Sequence, residues 1–329
     1  MGQEKMNTSL ATISAPVTIG IDIAKPHLDV HVLPERLVRR FSNDRDGIAG
    51  LIAWITPMRP GRIVFEATGA YHRRLERALH QADLPSVKIN PLQARRFAQA
   101  SGTRAKTDPV DAAMLARFGA TLQPDIAPAP DPALDALQEL HAARQALVKD
   151  RTAALNRGKT LSLALLKQQN QRRLLQINAQ IAAVDREILK RQAAHGGLQR
   201  RFTILMSIPG LGAITASALL VEMPELGTLE PKQAASLAGL APITRQSGAW
   251  HGRSSIQGGR AGLRRALYMP ALVAIRFNPD LKATYQALRQ AGKPAKVALV
   301  AVMRKLLLLA NALLRDDRAW SKQAPGTAA

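Results

Sequence analysis

The chain contains no cysteine, which excludes disulfides and every zinc site built on thiolates. Aromatic side chains make up 4% of it, too few for a base-stacking platform of the RNA-recognition-motif kind. Acids are also scarce: 24 Asp and Glu stand against 46 Lys and Arg, giving a net charge of +22 and a pI near 11.3. That balance implies a polyanionic partner, either nucleic acid or an acidic membrane surface. A membrane span needs about 20 uninterrupted apolar residues. The most apolar stretch, residues 297–314, is broken by Arg304 and Lys305, so no membrane partner is expected. The first 16 residues carry Glu4 and no apolar core, so no signal peptide is expected either. The expected location is cytoplasmic, at the nucleoid. Among seven histidines, His27 and His31 would share a strand face, but two histidines without a third ligand do not make a metal site.

The few acids are unevenly placed. None falls between Asp83 and Asp108, where Lys88, Arg95, Arg96, Arg104 and Lys106 lie. None falls between Asp150 and Asp185, or between Glu230 and Asp280. One such run is an ordinary solvated face; three in so basic a chain point to extended contact with phosphates.

Residues 17–23, 27–33 and 36–42 read as three consecutive strands rich in Val and Ile. A helix over 44–56, a strand over 61–66, a helix over 70–83 and a strand over 85–90 follow, then helices near 91–100 and 109–120. The order β-β-β-α-β-α-β-α matches a ribonuclease H-like domain with a mixed sheet, over residues 17–122. Residues 1–16 and 316–329 read as disordered tails, and 123–132 as a Pro-rich linker. Residues 133–196 read as a helical, coiled-coil-like connector, either an antiparallel hairpin or a dimerising pair, with breaks expected at Gly158 or at 168–171. Residues 197–315 form a helical C-terminal domain. It opens with Ile208-Pro209-Gly210-Leu211-Gly212 between two helical stretches, a helix-hairpin-helix signature. Gly210 and Gly212 would let backbone N–H groups approach a phosphate. A further helix is expected over 231–239, a Gly/Ser/Arg loop over 244–262 and helices near 263–275, 280–291 and 294–315.

Four acids stand out. Asp22 lies inside the apolar run Val17–Ile23, and Glu66 ends Arg62-Ile63-Val64-Phe65. Asp108 and Asp111 open a helix in Lys106-Thr107-Asp108-Pro109-Val110-Asp111 and share one face. Asp, Pro and Asp at a helix start are also an ordinary cap, and Glu66 alone could be a surface acid. In a ribonuclease H-like domain, however, these four positions meet at one sheet edge. Acids against apolar strands are costly unless paired, and hard oxygen ligands suit Mg²⁺ or Mn²⁺. Such ions can clamp the attacking and leaving oxygens of a phosphodiester. In the loop, Thr244, Ser247, Ser254 and Ser255 offer hydroxyls, with Arg245 and Arg253 placed to hold a phosphate. The residues alone do not choose among them.

Several motifs stand in a recognisable order: Gly20-Ile21-Asp22-Ile23-Ala24-Lys25, Phe65-Glu66-Ala67-Thr68-Gly69, Ile89-Asn90-Pro91, Ala105-Lys106-Thr107-Asp108-Pro109-Val110-Asp111-Ala112, Ile208–Gly212, Leu237–Leu240 and Leu263-Arg264-Arg265-Ala266-Leu267-Tyr268. Over about residues 17–315 the chain resembles the DEDD transposases of bacterial insertion sequences related to the Piv DNA invertases, also called bridge-RNA-guided recombinases. The resemblance implies a RuvC-like domain, a coiled-coil connector and a C-terminal transposase domain. It implies an acid tetrad of Asp22, Glu66, Asp108 and Asp111, and an essential serine after Ala-Gly-Leu-x-Pro. Matching 240–248 to that pattern selects Ser247, with Ser254 and Ser255 as rivals. It further implies an element-encoded guide RNA beside donor and target DNA.

The expected activity is therefore cutting and rejoining of DNA through a metal site and a serine nucleophile. Arg104, Lys106, Gly210, Gly212, Arg245, Arg253, Arg264 and Arg265 are the expected nucleic-acid contacts. A RuvC-like nuclease using water is the rival enzyme, and a non-catalytic DNA/RNA-binding scaffold the rival binder. A rigid helix of about 30 residues spans roughly 45 Å, so serine and acids are expected to meet between protomers of a homodimer or homotetramer; a folded-back hairpin would instead bring them together within one chain.

Overall fold

The computed structural model describes residues 16–321, apart from 68, 70, 103–107, 127–130, 245, 248, 249 and 253; for 108, 109, 250 and 251 it describes the backbone alone. Most of the tails expected to be disordered thus lie outside the described residues. Residues 316–321 do not behave as a tail: the Trp320 amide donates to Ser207 Oγ at 2.8 Å, and Arg200 pairs with Asp317 at 3.0 Å.

The chain forms two compact units, divided within the Pro-rich linker at Pro130/Asp131. The first holds a five-stranded sheet of β1 (Thr18–Ile23), β2 (His27–Leu33), β3 (Leu37–Ser42), β4 (Arg62–Glu66) and β5 (Ser86–Ile89), in the order β3-β2-β1-β4-β5. β2 is antiparallel to β1 and β3, whereas β4 and β5 run parallel to β1. Strand alternation sorts the side chains to two faces. Ile19, Ile21, Leu28, Val30, Ile63 and Phe65 bury one face against α1 (Arg45–Ile55) and α2 (Arg73–Gln81). Val64, Val87 and Ile89 bury the other against α3 (Pro91–Ala100) and α4 (Asp108–Leu122). Asp44 caps α1 by accepting from the Gly47 amide, and Asn90 caps α3 through the Leu92 amide. The mixed sheet and its order match the ribonuclease H-like expectation.

In the second unit, α5 (Pro132–Gly158) and α6 (Ala164–Ala193) form an antiparallel hairpin. Arg144 Nε grips Asp185 at 2.5 Å, and Asn170 Nδ2 donates to the Ala154 carbonyl at 3.1 Å. The turn comes at Gly158. Residues 168–171 instead continue α6, because a polar stretch without Gly or Pro has nothing to end a helix. Leu137, Ile188, Leu198 and Val221 join this hairpin to α7 (Gly196–Met206) and α8 (Ala213–Glu222). The helices expected as a connector and the C-terminal segment thus share one unit. Its main core combines Leu205, Leu219, Leu263, Leu267, Val302 and Leu306 from α7, α8, α10 (Ala261–Phe277) and α12 (Ala295–Arg315). α12 is long and apolar enough to cross a membrane, but half of its apolar window is buried in this core. α9 (Pro231–Leu237) and α11 (Pro279–Gln290) complete the unit.

Candidate active site

Residue size places α4 on the sheet. A β-carbon on Gly20 of β1 would collide with the backbone of Ala112 and Ala116. A β-carbon on Gly119 would lie 2.6 Å from Val64 Cγ2 and 2.8 Å from Thr18 Cγ2. Two glycines, one on each partner, therefore seat the helix directly on β1 and β4. The same contacts fix its direction. Its end lies over Thr18 and its middle over Gly20, so it runs antiparallel to β1. Its first turn, with Asp108 and Asp111, belongs at the end where β1 and β4 finish.

Asp22 and Glu66 sit at that end. β1 and β4 pair in parallel register from Thr18 with Arg62 to Ile21 with Phe65, so the next step sets Asp22 level with Glu66. Alternation puts both on the face that carries Gly20 and Val64, the face that α4 covers. Asp22, Glu66 and Asp111 are half-buried, open enough for a ligand to reach. The Asp108 side chain, Arg104 and Lys106 lie outside the described residues. Among the described residues, no three His, Asp or Glu side chains gather closely enough to hold an ion.

Sequence reasoning missed one acid here. Asp29 stands opposite Asp22 in the β1–β2 register and opposite Arg40 in the β2–β3 register. It is 3% exposed. Arg40 donates to it twice, Nε at 2.8 Å and Nη2 at 3.0 Å, and His27 Nε2 lies 3.4 Å away. One level of the sheet therefore reads Arg40, Asp29, Asp22, Glu66 and Ile89 across five strands. On the same face, burial first, then the charges of Arg117 and Arg36, push the His31 pKa below its usual value.

The second unit carries the serine loop. Two small ladders shape it: β6 (Pro242–Ile243) pairs with β9 (Ser255–Ile256), and β7 (Gln246–Ser247) with β8 (Trp250–His251). Ser247 stands opposite Trp250 and is exposed. Thr244 Oγ1 and Ser254 Oγ share a hydrogen bond of 2.8 Å, while Ser255 sits exposed in β9. Arg245 and Arg253 lie outside the described residues. The base of the loop is pinned to α9 and α10. Arg264 Nη1 donates to the carbonyl of Gly258, and the Arg260 amide donates to the Leu237 carbonyl at 2.8 Å. Gly239 (φ +64°) and Gly259 (φ +60°) are packed so closely that a β-carbon on either would strike the other's neighbourhood. The left-handed φ and the contact together require glycine. Arg264 is thus committed to holding the loop, whereas Arg265 points to solvent.

In the turn between α7 and α8, Gly210 has φ +103°, and its β-carbon would lie 2.8 Å from the Pro270 carbonyl oxygen. Its smallness serves packing on α10. Gly212, the N-cap of α8, is exposed with open space around it.

The residues match two family models: the DEDD transposase of IS110 elements over 19–167, and the transposase IS116/IS110/IS902 family over 202–286. The pilin gene-inverting protein of Moraxella lacunata is 34% identical over 321 residues, 93% of this chain and 98% of that protein. The Moraxella bovis protein of the same name matches to the same extent. An uncharacterized 43.6 kDa protein of insertion element IS110 from Streptomyces coelicolor is 36% identical over 125 residues, 37% of this chain and 31% of that one. A solved T. thermophilus RuvC chain, in complex with a Holliday junction substrate, is 15% identical over 32% of this chain and 96% of its own, with a TM-score of 0.25. The fold assignment rests on strand order and helix placement.

Proposed function

This chain belongs to the IS110-type DEDD transposases, a family shared with the pilin gene-inverting proteins, and we propose that this DNA transposase/recombinase works through a metal-assisted acid edge and a serine nucleophile. The observation that carries the proposal is the register that sets Asp22 level with Glu66 under the start of α4. The donor set is carboxylate only, partly open to solvent, and suits a hard divalent ion such as Mg²⁺ or Mn²⁺. Asp22, Glu66, Asp111 and Asp108 would hold it. When bound, the ion would supply Lewis-acid stabilisation of the charge that develops on phosphate oxygens.

The chain's own groups do the rest. Ser247 Oγ forms a bond to phosphorus while the bond to the leaving strand's bridging oxygen breaks. The serine proton passes to solvent, and the departing oxygen takes one up. The phosphoester count is unchanged, so a hydroxyl of another strand can reverse the attack and rejoin DNA without an energy source. Exposure of Ser247 on a hairpin with a pinned base supports this role; Ser254 shares its hydroxyl with Thr244. Arg265, the open backbone at Gly212, and Arg104, Lys106, Arg245 and Arg253 would bind the backbones of donor and target DNA. The +22 charge also suits a structured guide RNA. Serine loop and acid edge would meet either between protomers of a homodimer or homotetramer or within one chain, and subunit mixing separates the two.

The test is strand cleavage and rejoining on element-end DNA with and without chelator. Activity should vanish with chelator and return with Mg²⁺ or Mn²⁺. Asp108→Asn should abolish cleavage while DNA binding persists. Mixing Ser247→Ala with Asp22→Asn subunits should restore activity if the sites pair between protomers. Chelator-resistant cleavage would contradict the metal-assisted reading, and a nuclease using water would cleave without rejoining.

A further inference from the structure

We propose that the buried Asp29–Arg40 pair is a positioning element that sets the charge beside Asp22 and thereby the affinity of the acid edge for a divalent cation. The inference rests on the reading of that edge as a metal site.

Asp29 needs an explanation. Like charges directly opposite each other on neighbouring strands destabilise a sheet, yet Asp29 stands directly opposite Asp22. It is also 3% exposed, on a face covered by α4. A buried charge is costly unless it is paired and hydrogen-bonded. Arg40 meets both carboxylate oxygens, and His27 adds a further contact at 3.4 Å. An apolar pair of similar volume would usually cost the fold no more than such an ion pair. What the apolar pair could not supply is a fixed negative charge one strand from Asp22, with its counter-charge one strand further out. The two-point grip of Arg40 fixes where the Asp29 carboxylate stands.

Charge balance makes the prediction signed. Asp29→Asn removes one negative charge from the strand beside Asp22 and should weaken divalent binding. Arg40→Gln removes one positive charge from the same level of the sheet and should tighten it. The double variant should return close to wild type. A role in packing alone would not give effects of opposite sign.

The experiment titrates Mn²⁺ into the full-length protein by calorimetry, with thermal melts beside each titration. A unit charge at this range should change Kd by about tenfold in each direction. Should Arg40→Gln not fold, Arg40→Lys keeps the charge without the two-point grip and should bind Mn²⁺ within about threefold of wild type. Asp22→Asn is the control and should weaken binding severely. If Asp22→Asn weakens binding but Asp29→Asn leaves Kd at the wild-type value, the positioning role is wrong and the metal-site reading stands. If Asp22→Asn leaves Mn²⁺ binding unchanged, the reading of the acid edge falls, and this inference with it.

Discussion

Gly20 of β1 lies so close to Ala112 of α4 that no β-carbon fits between them. That contact brings the start of α4 over the strand ends and so governs where Asp108 and Asp111 stand relative to Asp22 and Glu66. Gly20→Ala would push against backbone, which cannot rotate away. Gly119→Ala would push against the methyl groups of Val64 and Thr18, which can. Both should destabilise, by about 1–3 kcal/mol for overpacking of this kind, with Gly20→Ala the larger. Urea midpoints measure the order, and a Gly20→Ala protein as stable as wild type would contradict the seating described.

Much of this arrangement is legible in the sequence, for identifiable reasons. An acid in Val17–Ile23 stands out because the residues around it are apolar, and the strand order follows from the Val- and Ile-rich runs. Asp29 is hidden because His27-Leu28-Asp29-Val30-His31 alternates polar and apolar residues and reads as a strand with one solvated face. Only the placement of α4 shows that this polar face is covered. The ladders of the serine loop are hidden for another reason. Two-residue pairings in a Gly- and Ser-rich segment carry no hydrophobic period. Arg264 and Arg265 look alike in sequence, and the bonds of Arg264 to the Gly258 and Ala238 carbonyls distinguish them.

Those two arginines should separate in experiment. Arg264→Ala frees the base of the serine loop, so limited proteolysis within residues 240–259 should quicken and strand transfer should fall by at least about tenfold, since an active group displaced by an ångström can cost more than that. Its DNA-binding salt slope should be unchanged. Arg265→Ala should leave the proteolysis pattern intact and reduce the slope of log K against log salt by about 0.9, one phosphate contact. Equal behaviour of the two variants in both assays would contradict this division.

His31 predicts a pH dependence of stability. Burial, then Arg117 and Arg36, lower its folded pKa, so the native state resists a proton that the unfolded chain accepts near pH 6.5, roughly the free value. The His31 contribution is full above the unfolded pKa and is lost as pH falls through it toward the folded value. The urea midpoint of the wild type should fall between about pH 7.5 and 5.5. His31→Gln, which cannot titrate, should show a smaller fall; an equal fall would assign the effect to other groups.

Mapping the covalent bond between protein and DNA tests the serine mechanism most directly. Wild-type protein is incubated with element-end DNA and Mg²⁺, quenched with denaturant, and the protein–DNA adduct is digested and sequenced by mass spectrometry. One modified peptide, carrying nucleotide on Ser247, is the expected result. No adduct should form in Ser247→Ala, in Asp22→Asn or in the presence of chelator. An adduct on Ser254 or Ser255, or DNA cleavage with no adduct at all, would contradict it.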